Sequence, residues 1–206
     1  MNDIRVGKVI KFGDYDWRVL KVKDDRVLLL TEHMIEQQPY HNCKGEVTWA
    51  QCSLRNYLNS DFYNCFTLNE QERILQVSNI NSNNPWYESE GGEQTLDYVF
   101  LLSIEEVVCN FFGDSSKNLV SRSSKQRYWF QKKDDNNNKR MAILDGHSWW
   151  WWLRSPGRDN KRAAYIHGDG NVGIQGNGTY NYNSKNVHCI TGKNYGGVRP
   201  ALWIKK

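Results

Sequence analysis

Residues 149–152 are four consecutive tryptophans, followed at once by LRSPGR, and no other stretch restricts the possible folds as much. A packed tryptophan buries roughly 150–250 Å². Successive side chains of a strand point to opposite faces, so Trp149 and Trp151 would face one way and Trp150 and Trp152 the other. Both faces then need cover. A helix would spread the four rings around its axis and pack them poorly. The run therefore predicts a central strand covered on both sides, with one or two rings left for the rim of a site. Pro156-Gly157 is a turn dipeptide that ends it.

A chain of 206 residues suits one domain and can bury a sizeable core. Residues 1–206 are read as one unit, with a β-meander over 1–46, a helical part over 47–113 and a strand and display-loop part over 140–206. The aromatic share of 13% points to a core built from rings. The net charge of +4 is spread along the chain. The one basic cluster, RSSKQR at 122–127 with Lys132 and Lys133, runs straight into Asp134 and Asp135, which reads as a solvated loop and not as a nucleic-acid surface. Five cysteines (Cys43, Cys52, Cys65, Cys109 and Cys189) form no C-x-x-C pair, so neither a zinc site nor a thioredoxin-type centre is expected. Free buried thiols in a reducing compartment, hence a cytoplasmic origin, fit this pattern. There is no apolar leader and no spanning segment. The expectation is that the native chain stays inside the cell, or that a leader was removed.

Runs at Lys8–Phe12, Trp17–Val22 and Arg26–Thr31 read as a meander with GDYD and KDD turns. Thr48 is expected to cap a helix carrying Trp49, Leu54, Tyr57, Leu58 and Phe62, with a break near Asn59-Ser60. Thr67 with Glu70 predicts a capping box for a helix through Leu75, and Ser103 with Glu106 a second one after a strand at Tyr98–Leu102. Residues 78–95 and the DDNNN run at 134–138 read as loops. Strands, then helices, then strands again make an α+β protein.

Between Tyr165 and Tyr195 there is no Leu, Phe, Ala, Arg, Pro, Trp, Met or Glu. Asp169-Gly170 and Asn177-Gly178 are hairpin-turn dipeptides. Irregular hairpins are expected here, with a thin core contribution from Ile166, Val172, Ile174, Val187 and Ile190.

WWLRSPG at 151–157 paired with GVRPALWI at 197–204 resembles a widespread bacterial family of domains of unknown function. FGDYDWRVLKV (12–22), VTWAQCSLRNYLNSDFYNCF (47–66) and DYVFLLSIEEV (97–107) are similar to it as well, so the likeness spans essentially the whole chain. The resemblance implies a C-type lectin-like fold of the formylglycine-generating-enzyme type, with an irregular antiparallel sheet and a few short helices. Some proteins of that fold are variable proteins of diversity-generating retroelements, in which adenine-rich codons are rewritten just before a motif like GVRPALW. Rewritten AAC-type codons yield Asn, Tyr, Asp, His, Ser, Gly, Thr, Ile, Val and Cys among others, but never Lys or Gln. Between Tyr165 and Tyr195 only Gln175, Lys185 and Lys193 fall outside the accessible set. Exposed hairpin loops are also rich in Asn, Gly and Ser for conformational reasons alone.

Arg154 and Arg199 sit inside apolar strands, and a buried guanidinium has to be paired and hydrogen-bonded. Both are expected to be structural anchors to carboxylates, together with Trp151 and Trp152; an anion-binding pair is the functional alternative. There is no G-x-S-x-G, H-E-x-x-H or phosphate loop. The five histidines are scattered, and His167 and His188 fall in the loop-like region. Formylglycine-generating enzymes use paired cysteines near the chain end, where only Cys189 stands here, and the calcium motifs of sugar-binding C-type lectins are missing. No catalytic residue, metal or cofactor is expected. What remains is a composition like that of antibody loops, where Tyr supplies contact area and small polar residues adapt. The expected function is a non-enzymatic ligand-binding module. Its surface would consist of Tyr165, His167, Asp169, Asn171, Asn177, Tyr180, Asn181, Tyr182, Asn183, Asn186, His188, Asn194 and Tyr195. The partner would be a protein or glycan, with no nucleic acid and no membrane span. The alternative is a carbohydrate-processing enzyme or sugar-binding domain using Trp149 or Trp150 with Tyr165 as a platform.

Overall fold

The three N-terminal runs pair as their patterning dictates, and the chain's last strand is laid beside them. The computed structural model describes residues 4–119, 135–180 and 195–206. The first strands are β1 (Val9–Phe12), β2 (Tyr15–Val22), β3 (Arg26–Thr31) and β4 (Glu36–Gln38). Short strands β5 (Ile74–Leu75), β6 (Val77–Asn79), β7 (Thr95–Asp97) and β8 (Val99–Phe100) follow the helical part. The last third holds the hairpin β9 (Ile143–Leu144) and β10 (His147–Ser148), then β11 (Trp151–Pro156), β12 (Arg162–Ile166) and β13 (Val172–Gly178). β14 (Gly196–Val198) and β15 (Ala201–Lys205) close the chain.

One sheet runs β1-β2-β3-β15-β5, with β8 also paired to β15, and is antiparallel throughout. The other runs β13-β12-β11-β14-β4, antiparallel except for the parallel pair β11 and β14. The architecture is α+β, mostly antiparallel, with few and short helices. Among the described residues no helix is long and apolar enough to cross a membrane.

The tryptophan run has the middle place that its chemistry demands, with neighbours on both sides in its sheet and all six residues of β11 buried. Trp151 and Trp152 are fully buried on opposite faces; Trp149 and Trp150 precede the strand and are half-buried. Trp152 packs edge-on against Tyr40 (5.6 Å between ring centres) and donates from Nε1 to the Gln38 carbonyl at 2.9 Å.

The helical part departs from expectation in instructive ways. Thr48 makes no side-chain cap; the start of α1 (Ser53–Tyr57) is instead capped by Cys52, whose sulfur accepts from the Arg55 N–H at 3.3 Å. The break expected near Asn59-Ser60 is a π-helical turn over Leu58–Phe62 that continues the helix. Asn59 there bridges the Arg55 and Val99 carbonyls with its amide nitrogen and accepts from the Tyr98 N–H, fastening the turn to β8. Both capping boxes form, at Thr67/Glu70 and Ser103/Glu106. The helix after Thr67, α2, spans only Leu68–Gln71, because Ile74 and Leu75 are taken by β15 as a strand. The strand expected at Tyr98–Leu102 narrows to β8. The ends of the 78–95 loop pair as β6 and β7, and the 134–138 loop runs into a turn of helix, α3 (Asn137–Arg140).

Asn177-Gly178 is not a hairpin turn but the end of β13, opposite Ala163 and Arg162. Cross-strand pairing of its backbone overrides the local turn preference. Ile166, Val172 and Ile174 are buried as expected, while Val187 and Ile190 lie outside the described residues. Cys43, Cys52, Cys65 and Cys109 are free thiols, but Cys43 and Cys65 are exposed and only Cys52 is fully buried. Burial pushes the Cys52 thiol up to about 12, so it behaves as a small apolar side chain.

Two of the buried guanidiniums differ in what they pair with. Arg154 forms the expected ion pair with Glu106, the residue that also closes the second capping box. Arg199 corrects the expectation of a carboxylate partner. Its Nε, Nη1 and Nη2 donate to the backbone carbonyls of Thr31 (3.0 Å), Arg140 (3.4 Å) and Glu32 (3.1 Å), and its guanidinium lies 5.1 Å from the Trp151 ring centre. Those carbonyls lie at the exit of β3 and the end of α3, and that of Arg140 also accepts from Trp151 Nε1 at 3.1 Å.

Two substitutions test this packing. Trp152→Ala should cost about 3–5 kcal/mol in a denaturant titration, whereas Leu68→Ala, at a side chain 78% exposed, should stay within about 0.5 kcal/mol. Arg199→Met keeps the bulk but leaves three carbonyls without a charged donor, and should cost about 3–5 kcal/mol. An unchanged unfolding midpoint for Arg199→Met would refute the anchoring role.

Candidate recognition site

The end of the second sheet where β11 begins gathers side chains from four segments. Register fixes the neighbours: Trp151 stands opposite Ile166 and Gly197, and Ile166 stands opposite Val172. The residues just before β11, the turn between β12 and β13, and the residue before β14 therefore meet at one edge. They are Trp149 and Trp150, the turn His167–Asn171, and Tyr195.

The tryptophans here are held by hydrogen bonds and ring packing. Trp149 Nε1 donates to the Tyr195 carbonyl at 3.1 Å and its backbone N–H to Ala142 at 3.3 Å. Trp150 sits edge-on to Trp152 at 4.7 Å and to Tyr165 at 5.4 Å. Gly196 permits this approach, since a Cβ there would lie 2.4 Å from Trp152 Nε1 and 2.6 Å from the Trp150 ring. Trp150 thus rests on the buried Trp152 and Tyr165 rings, while Trp149 is held by its hydrogen bonds.

The turn is built on Asp169-Gly170. Gly170 has φ +82°, and a Cβ at this position would lie 2.0 Å from the Asn137 carbonyl oxygen. Asp169 accepts from the Asn171 N–H at 3.1 Å, an Asx turn, and lies 2.9 Å from His167 Nδ1. α3 grips the turn from behind: Asn137 Nδ2 donates to the Asp169 carbonyl and to Asn171 Oδ1, and buried Arg140 donates from Nε to the Gly170 carbonyl at 2.9 Å. Burial pushes the Asp169 carboxyl up, but the hydrogen bonds from Asn171 and His167 outweigh it and hold it below the usual carboxylate range.

The residues expected to form one surface separate into groups. His167 is exposed, and Asp169, Asn171 and Tyr195 are partly so, all at the β11-start edge. Asn177 and Tyr180 belong to the opposite end of the sheet, beside Ala163 and Arg162; Tyr180 is 41% exposed there, just after Thr179, whose carbonyl accepts from the His41 N–H. Tyr165 is only 4% exposed: its ring lies over Gly173 and against Trp150, so it is part of the floor and not of a surface. Asn181, Tyr182, Asn183, Asn186, His188 and Asn194 lie outside the described residues.

Asn137 and Arg140, which fix the turn, escaped sequence reasoning because they sit in the polar run KKDDNNNKR, where nothing distinguishes a buried arginine from a solvated one. Asp97 escaped it as well. This fully buried carboxylate accepts from Trp49, Arg55, Asn79 and Thr95, and holds the helical part to β7. Among the described residues no cluster of three or more His, Cys, Asp and Glu side chains could hold a metal ion.

The chain belongs to a family described as a domain of unknown function, DUF6273, whose profile matches residues 24–206. No curated protein and no solved structure matches it.

The turn makes a pH prediction. A carboxyl held low in the folded state contributes stability that is present above its ordinary value, about pH 4, and is lost as pH falls through the folded value. Asp169→Asn should therefore lose stability less steeply than the parent below about pH 4, in acid titrations followed by circular dichroism. Parallel acid limbs would show that Asp169 is not coupled to folding.

Proposed function

We propose that the protein is a non-enzymatic ligand-binding module on a C-type lectin-like scaffold of the formylglycine-generating-enzyme type. Its recognition face is the β11-start edge of the second sheet, with a protein or glycan as ligand. The observation that carries this reading is the pair of half-buried indoles beside the His167–Asn171 turn, Trp149 bonded to the Tyr195 carbonyl and Trp150 packed on the buried Trp152 and Tyr165 rings. Rigid aromatic anchors ringed by small polar groups are the composition of a recognition surface, since they offer contact area with little side-chain entropy to lose. Cys52, buried and with its thiol pushed up, gives no support to a nucleophilic cysteine.

The composition from Tyr165 to Tyr195 further supports diversification of this segment by a retroelement. In the gene, that reading requires adenine-rich codons over this stretch and a near-identical repeat nearby. Ordinary codon usage with no repeat would remove it and leave the module.

Binding is tested by presenting the chain to a glycan array and to a displayed protein library. For a ligand so found, Trp149→Ala or Tyr195→Ala should weaken binding by about 2 kcal/mol, roughly thirty-fold, with native circular dichroism. Tyr180→Ala, at the far end of β13, should change it less than about two-fold. The reverse pattern would move the face to the opposite end of the sheet, and turnover in a broad substrate screen would make the protein an enzyme.

A further inference from the structure

A concavity lies against the first sheet, on the side of β2 and the end of α3. It encloses about 580 Å³ and is lined by β2, the residue after β3, Phe111–Gly113, the end of α3 and Arg199. A volume of this size is within the range of small-molecule sites, roughly 300–1,000 Å³. Its walls are mainly apolar, with Val19, Leu20, Phe112 and Met141 among them.

The charges set into these walls do not balance. Arg18 is neutralised by Glu32: its Nε donates to Oε2 at 2.7 Å, its Nη2 pairs with Oε1, and its Nη1 is bonded to the Gly7 carbonyl at 2.9 Å. Arg199 is 2% exposed, and its three hydrogen bonds all go to backbone carbonyls. A guanidinium carries five N–H donors, so two are left over after these three bonds. Lys139, exposed at the rim, is bonded to the Asn136 side chain and to no carboxylate among the described residues. Among the described residues the lining thus carries three positive side chains, Arg18, Lys139 and Arg199, and one acidic one, Glu32, which is paired with Arg18. Burial and the nearby Arg18 pull Arg199 down to about 10, with Glu32 acting against them, which still leaves it charged at neutral pH. Glu32 is shared between Arg18 and Arg199, so part of the cost of burying the second guanidinium remains, and an entering anion offsets it.

The geometry points to a binding site for a small organic anion, a carboxylate or phosphate on an apolar body. Arg199 and Lys139 face the oxyanion, and Leu20, Phe112 and Met141 enclose the body. The planar guanidinium suits either head group, because its N–H fork matches two oxygens. This site does not depend on the recognition face proposed above, and each can fail without the other.

Benzoate and phenyl phosphate are suitable probes, with benzyl alcohol and benzylamine as neutral and cationic counterparts. They are titrated into the full chain and followed by calorimetry and by amide chemical shifts. Both anions should bind saturably, and benzyl alcohol about ten-fold or more weakly, the worth of a charge-assisted hydrogen bond. The relative affinity of the two anions identifies the preferred head group. Shifts should centre on Leu20, Phe112 and Met141. Lys139→Glu, an exposed change that leaves the anchoring bonds of Arg199 in place, should weaken the anions several-fold and spare benzyl alcohol. Met141→Trp should narrow the cleft and weaken all binding. Equal binding of benzoate and benzyl alcohol would overturn the proposal. So would the absence of saturable binding by both anions, or shifts centred on Trp149 and Tyr195.

Discussion

The last stretch of chain passes from the second sheet to the first, and Arg199 sits at the crossing. Gly196–Val198 runs between β11 and β4 in the second sheet, and two residues later Ala201–Lys205 runs between β3 and β5 in the first. A segment that changes sheets leaves backbone carbonyls at the crossing without ladder partners, and unsatisfied buried carbonyls are expensive. Arg199 donates to two carbonyls where β3 ends, on Thr31 and Glu32, and to that of Arg140 at the end of α3, while its flat face covers Trp151. Lysine, a point charge on a flexible stem, could not satisfy three separated carbonyls and cover a ring. The same arrangement leaves the guanidinium hydrogen-bonded to no carboxylate among the described residues, which is the premise of the anion site proposed for the neighbouring cleft.

Arg140 extends the tie. Its carbonyl accepts from both Trp151 Nε1 and Arg199, while its own guanidinium holds the Gly170 carbonyl of the β12–β13 turn. Trp151, Arg199, Arg140 and the Asp169-Gly170 turn thus form one continuous polar and aromatic path from the sheet crossing to the edge where β11 begins. A turn poor in apolar side chains keeps its shape because α3 and a buried arginine hold its backbone. Trp149 and Trp150 gain their fixed orientation in a similar way, from the Tyr195 carbonyl on one side and the Trp152 and Tyr165 rings on the other.

What could be read from the residues was what depends on near neighbours in sequence. The meander, both capping boxes, the central burial of Trp151 and Trp152 and the Asp169-Gly170 turn each follow from spacing or local hydrogen bonding. Arg154 was legible as an anchor because an arginine in an apolar strand has few alternatives. Tyr165 was misread as a surface residue because it opens a stretch rich in Asn and Gly, yet its register opposite Trp152 and its approach to Gly173 put it inside. Asn177-Gly178 was misread for the opposite reason, since a strong turn dipeptide yielded to pairing with Arg162 and Ala163.

The sequence by itself determined the α+β class, the presence of an aromatic core and the Tyr- and Asn-rich character of the segment from Tyr165 to Tyr195, because composition and short-range periodicity carry those properties. The tertiary structure decided which of those residues share a surface. Strand register placed Tyr195 with Trp149 and the His167 turn, and sent Tyr180 to the other end of the sheet. It also decided that Arg199 would meet carbonyls instead of a carboxylate, because its partners on Thr31 and Glu32 are more than 160 residues away in sequence and are brought near only by the pairing of β15 with β3.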